Sequence, residues 1–175
     1  DRKRPLPKFP KRVAVVTAPS GAALQDFLNV YRRRALQWEI VIVPALVQGE
    51  KAPASLMVAL DLIERRGDFD AVVVTRGGGS SEDLSAFNDE KLVRKLAACS
   101  FPLISAVGHQ VDWTLADFVS DIRCETPTAA AETLTQPQTE LLRRLGLSQR
   151  RLASALLAHH SKLKVWLQRH HPRQL

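Results

Sequence analysis

Four short apolar runs rich in β-branched residues recur along this chain about every 30 residues: 11–17, 38–44, 69–75 and 102–107. Between them, apolar residues repeat at helical spacing. Leu24, Phe27, Leu28 and Tyr31 share one face of a predicted helix over 21–34, with Ser20 as its cap and three arginines at its end. Leu56, Leu60 and Ile63 do the same for a helix that starts at Pro53 or Ala54 and is stopped by Gly67, and Leu92, Val93 and Leu96 for one over 89–99. Strand followed by helix, four times with short connections, predicts an α/β fold: a doubly wound, mainly parallel sheet of about four strands flanked by helices. In such sheets the loops that leave the strands gather at the carboxyl edge, where ligands bind. Segments 17–21, 76–80 and 108–112 are therefore expected to be neighbours.

The third run ends abruptly in Arg76-Gly77-Gly78-Gly79-Ser80. Glycines lack a Cβ, so a backbone here can turn its N–H groups toward an anion at close range. An arginine directly before them adds a fixed charge and a planar donor fork suited to phosphate. The plainer reading is a strand-to-helix connection that needs glycine, with Ser80 or Ser81 as a cap and Glu82 and Asp83 on the helix dipole. The fourth run ends in Gly108-His109, and Asp112 follows three residues later. A carboxylate at that spacing can hold an imidazole in one tautomer or face a substrate beside it. Asp26, on the second turn of the first helix, is a further polar residue expected near the same edge, against the alternative of a solvated helix position.

Outside this core the chain changes character. Residues 1–10 hold Pro5, Pro7 and Pro10 among basic residues and read as a linker or arm, 11–136 as the α/β catalytic domain, and 137–175 as the start of a long helical extension. Val111 to Asp121 is read as a short helix, and Thr126 to Glu132 as another with Pro127 at its favoured first position. From Leu142, positions 145, 149, 152, 156, 159, 163 and 166 follow at alternating spacings of three and four, six of the eight apolar, which is a coiled-coil pattern with Gln149 and His159 as polar register-setters. A helix lying on its own domain is the competing reading. The net charge of +7 is uneven: residues 1–12 carry six Lys/Arg against one Asp, 13–140 eleven against seventeen acidic residues, and 141–175 eight against none. Basic ends of this kind suit a phosphate backbone, although charge runs at termini are commonly just solvated. No apolar run approaches the roughly 20 residues of a membrane span. Cys99 and Cys124 lack metal-ligand spacing and are expected to be buried thiols, which fits a cytosolic protein.

An arginine beside a glycine nest, a histidine and two carboxylates make a phosphodiester-cleaving set. Arg76 and the loop N–H groups of Gly77, Gly78, Gly79 and Ser80, with Ser20 nearby, would bind phosphate, and His109 would move a proton. Asp26 and Asp112 fit either of two roles: orienting His109 and water, or holding a divalent ion such as magnesium. No cofactor is required by the first.

Arg76-Gly-Gly-Gly-Ser-Ser-Glu-Asp-Leu-Ser-Ala-Phe-Asn-Asp-Glu90, Ser105-Ala-Val-Gly-His-Gln-Val-Asp112, Thr126-Pro-Thr-Ala-Ala-Ala-Glu132 and Ser20-Gly-Ala-Ala-Leu-Gln-Asp26 together resemble the large subunit of bacterial exodeoxyribonuclease VII. The similarity runs in order from about Leu6 to the end. It implies an enzyme that degrades single-stranded DNA from either end to short 5′-phosphorylated oligonucleotides, in a cytoplasmic complex with several copies of a small helical subunit packed on the C-terminal helix. By the same resemblance Asp26, Arg76, His109 and Asp112 match the catalytic positions. It implies too that an N-terminal oligonucleotide-binding domain and most of the helical region lie outside these residues. Gln110 stands where the family usually has glutamate, and Thr75 where glycine commonly precedes the arginine. Self-association through the helix is a further expectation. The contrasting hypothesis is a non-catalytic phosphate- or nucleotide-binding or assembly module. A nucleotide phosphotransferase is disfavoured, since no G-x-x-x-x-G-K-[ST] loop is present. Trp113, beside Asp112, is the aromatic residue suspected of base stacking, with a core role as its alternative.

Overall fold

The computed structural model describes residues 3–34, 38–77, 81–108 and 111–170. In chain order the elements are β1 (Arg12–Thr17), α1 (Ala22–Arg34), β2 (Glu39–Pro44), α2 (Ala52–Arg66), β3 (Ala71–Thr75), a 3-10 helix (Ser81–Asn88), α3 (Glu90–Ala97), β4 (Leu103–Ala106), α4 (Leu115–Val119), β5 (Ile122–Arg123) and α5 (Pro127–His170). The chain forms two compact units, Asp1–Gln138 and Thr139–Leu175.

In the first unit the strands form one parallel sheet in the order β2-β1-β3-β4-β5. The fifth strand exceeds the four expected. Ile122 and Arg123 pair with Ile104 and Ser105, and a two-residue strand is too short to leave a periodic trace in sequence. Helices cover both faces, which is why β3 (AVVVT) is buried throughout and reads as a continuous apolar run. On one face Ala14, Val16, Val72, Val74 and Leu103 pack with Leu56, Leu60 and Ile63 of α2, Leu92 and Leu96 of α3, and Ala116 of α4. On the other, Val13, Val15, Val73 and Ile104 meet Leu24, Phe27 and Val30 of α1 and Ala130, Ala131 and Leu134 of α5. Arg34 of α1 also pairs with Glu132 of α5 at 2.7 Å.

Local chemistry fixes the ends of these elements. α2 stops where Gly67 takes φ 71° and returns its N–H to the Ile63 carbonyl, a left-handed turn that glycine makes without a Cβ penalty. Asp89 caps α3, its carboxylate accepting from the Leu92 N–H at 2.9 Å. α4 is shorter than the helix expected over 111–121, because Thr114 sets its start through a reciprocal capping box with Asp117. Before β1, Arg4 grips Asp121 with its backbone N–H (2.6 Å) and guanidinium (2.8 Å), while Asp121 also accepts from the Leu103 N–H at 2.7 Å. Burial pushes the Asp121 carboxyl up, but these hydrogen bonds and the Arg4 charge outweigh it and hold it below the ordinary value. Cys99 and Cys124 are buried free thiols, and burial pushes Cys99 up to about 11.

In the second unit the helix continues to His170, with Leu142, Leu145, Leu152, Leu156, Leu163 and Trp166 all exposed. Hydrogen bonds from Arg143 and then Arg144 hold the Glu140 carboxyl down at about 2. The helix that begins at Pro127 and the one read from the leucine pattern are a single element, running through Pro137. Among the described residues no helix is long and apolar enough to cross a membrane.

Candidate active site at the carboxyl edge of the sheet

The strand order reverses between β1, which leads to β2 on one side, and β3 on the other. In such sheets the carboxyl ends of the two strands at a switch point are the usual ligand position. Here β1 delivers the loop containing Ser20 to the start of α1, and β3 delivers Arg76 and Gly77. A Cβ built on Gly77 would lie 3.8 Å from the Ala23 backbone nitrogen, so Gly77 lies against the first turn of α1. The positive end of a helix dipole and a glycine backbone thus meet at one place, an arrangement favourable to an anion.

Arg76 stands at the expected strand end, and its side chain is 3% exposed. Its backbone N–H reaches the Ala106 carbonyl, which also accepts from the Thr75 hydroxyl at 3.0 Å, so the β3 and β4 ends are tied together. Asp112 follows β4 and is half-buried, whereas Asp26 is exposed one turn into α1. The topology puts Arg76, Asp112 and the start of α1 at the same edge of the sheet. Ser20 is exposed in the β1–α1 loop. His109, Gln110, Gly78, Gly79 and Ser80 lie outside the described residues, as do the side chains of Ser81, Glu82 and Asp83.

A polar network centred on Asp117 adjoins the Asp112 backbone, and no sequence motif marks it. Asp117, 1% exposed, accepts from the Ser105 hydroxyl at 2.6 Å and from the Thr114 hydroxyl and N–H at 2.9 Å. Arg123, at the carboxyl end of β5, lies 3.9 Å from the same carboxylate and stacks its guanidinium 4.1 Å from the centre of the Trp113 ring. One of its N–H groups reaches the Asp112 carbonyl at 3.4 Å. From the other side, Gly108 packs so tightly that a Cβ there would fall 2.4 Å from that carbonyl oxygen. Thr17, at the end of β1, is 1% exposed, and its hydroxyl has no hydrogen-bond partner among the described residues. Its position as the last polar residue of an apolar strand was the one available signal for it.

The profile of the family described as exonuclease VII, large subunit, matches residues 1–174. The chain belongs to that family. Exonuclease VII large-subunit relatives include the exodeoxyribonuclease 7 large subunit of Azotobacter vinelandii, 51% identical over 87% of this chain and 33% of its own length. That of Moorella thermoacetica is 53% identical over 83% of this chain and 36% of its length, and that of Sodalis glossinidius 48% over 97% and 39%. The chain thus spans between a third and two fifths of the curated relatives it matches. A lysine decarboxylase of Francisella novicida aligns with 74% of the chain at a TM-score of 0.44 and 12% identity, too distant a likeness to carry an argument.

Proposed function

We propose that these residues form the catalytic core of an exonuclease that hydrolyses single-stranded DNA from either end to short 5′-phosphorylated oligonucleotides. The observation that carries the proposal is the family match over residues 1–174, falling on a chain whose Arg76, Asp112 and α1 start share one sheet edge. In this reading the scissile phosphate lies between the Gly77–Ser80 backbone and the first turn of α1, with Ser20 close by. Arg76 neutralises charge that builds on the phosphoryl oxygens, and because it is buried it acts with little screening by water. His109 moves the proton between water and the leaving oxygen. Asp112, fixed through its backbone by Arg123 and Gly108, and Asp26 orient the attacking water and His109.

Among the described residues no three His, Cys, Asp or Glu side chains converge as a metal-binding group. The two carboxylates at this edge are nonetheless hard oxygen donors of the kind magnesium takes together with substrate phosphate and water. Asp112 and Asp26 would hold it, and it would supply charge stabilisation at the phosphate. The exposed leucines of the second unit are the proposed seat of small helical subunits, with a second copy of this chain as the other occupant. Cytoplasmic placement belongs to the same proposal.

Cleavage of end-labelled single-stranded DNA by the complete protein with its partner subunit tests this. Wild type, His109→Ala and Arg76→Ala are compared in magnesium and in EDTA. Both variants are expected to lose turnover by at least about 100-fold while still binding DNA. Activity in the His109→Ala protein would remove His109 from the chemistry. Abolition by EDTA would make Asp26 and Asp112 metal ligands, whereas binding without any turnover in wild type would favour the non-catalytic module.

A further inference from the structure

The short helix α4 is amphipathic in the wrong sense. Its inward positions are Ala116 and Asp117, followed by buried Ser120, while its two largest apolar side chains, Leu115 and Phe118, are 48% and 62% exposed. Just before it, Val111 and Trp113 are also more than half exposed. Burial would drive these side chains inward, so holding them outward needs another cause.

The segment is also held in place. Asp117 closes the capping box with Thr114 and binds Ser105 of β4, the Leu115 N–H donates to the Asn88 side chain at 2.8 Å, and the Arg123 guanidinium lies over Trp113. Trp113 and Phe118 touch, with centroids 5.2 Å apart and rings inclined at 31°. Phe118 continues into a cavity of about 500 Å³ that is also lined by Lys3, Val119 and the Arg4–Asp121 ion pair. An aromatic pair therefore starts one residue after Asp112 and leads to a groove that carries Lys3 beside the Arg4–Asp121 pair.

We propose that Trp113 and Phe118 are a stacking platform for bases of the single strand, and that the groove beside Phe118 takes a phosphate against Lys3. The inference rests on the nuclease reading above and locates the strand that leaves its active site. Bases fit this surface because their flat π faces match an aromatic pair whose other support is a guanidinium, and because Lys3 stands in the adjoining groove. A helical protein partner would instead find leucines in register, which lie on α5.

The test measures affinity of the complete protein for oligo(dT) and for an abasic strand of equal length at one salt concentration. Trp113→Ala, Phe118→Ala and Trp113→Phe are compared with wild type. Each alanine variant is expected to bind oligo(dT) about tenfold more weakly and the abasic strand within about twofold of wild type. Trp113→Phe recovers most of the loss, and KM rises with kcat nearly unchanged. Equal losses on both strands, no loss on either, or a defect only in subunit assembly by sedimentation would each overturn the platform. If wild type binds bases in this way but does not cleave, the platform stands and the nuclease reading falls. If it cleaves and the alanine variants bind oligo(dT) as wild type does, the nuclease reading stands and the platform falls.

Discussion

Gly108 shows how closely single positions shape this edge. A methyl group there would meet a backbone oxygen, which cannot swing aside as the end of a long side chain can. Gly108→Ala is therefore expected to displace the Asp112 segment, to lower stability by about 1–3 kcal/mol in denaturant melts, and to reduce cleavage in parallel. Unchanged stability would mean that the Gly108–Asp112 approach is not kept in solution. The residues legible in sequence were those whose type announces chemistry: an arginine before glycines and an aspartate after a Gly-His pair. Asp117 and Arg123 were not legible, because what marks them is contact. Ser105 and Asp117 are 12 positions apart and Arg123 meets Asp112 across 11, with no motif connecting them. Arg76 was legible as to place but not as to burial, which depends on how the β3 and β4 ends close around it.

At the level of elements, β-branched runs announced β1 to β4 because a strand covered on both faces needs apolar residues at every position. The pair Ile122–Arg123 lies below the length at which any pattern shows, and the sequence reading assigns it to no element. α5 reveals the opposite failure. Pro137 lacks the N–H that would reach the Thr133 carbonyl and marks a break in sequence, yet the helix passes through it. Packing of Leu134 and Gln138, both 1% exposed, outweighs the local cost. Pro137→Ala should restore the missing hydrogen bond and stabilise the protein by up to about 3 kcal/mol, read as a higher melting temperature. A lower melting temperature would show that the proline fits a backbone an alanine does not favour.

For the molecule as a whole, the tie between Arg4 and Asp121 sets part of its acid tolerance. Asp121 has its carboxyl held below the ordinary value of 3.8, so it favours the folded state fully above that value. The contribution is lost as pH falls through the lower folded value. Asp121→Asn is expected to cost about 1–3 kcal/mol near neutrality, because buried donors face a weaker acceptor. It should also flatten the acid limb of the stability profile, measured by denaturant unfolding from pH 7 down to 2. A variant whose acid limb keeps the wild-type slope would assign that limb to other carboxylates.

Among the described residues the sheet ends on β2 at one side, with β1 as its single neighbour. Its sequence is EIVIVP, Ile42 is exposed, and Ile40 and Val41 are half-buried. A β-branched strand with an open row of N–H and C=O groups is a template on which a partly unfolded second chain can grow as an extra strand. Glu39 and Pro44 close its two ends, one by charge and the other by lacking a donor. Between those two guards, residues 40–43 expose this edge to fibril-like association during folding.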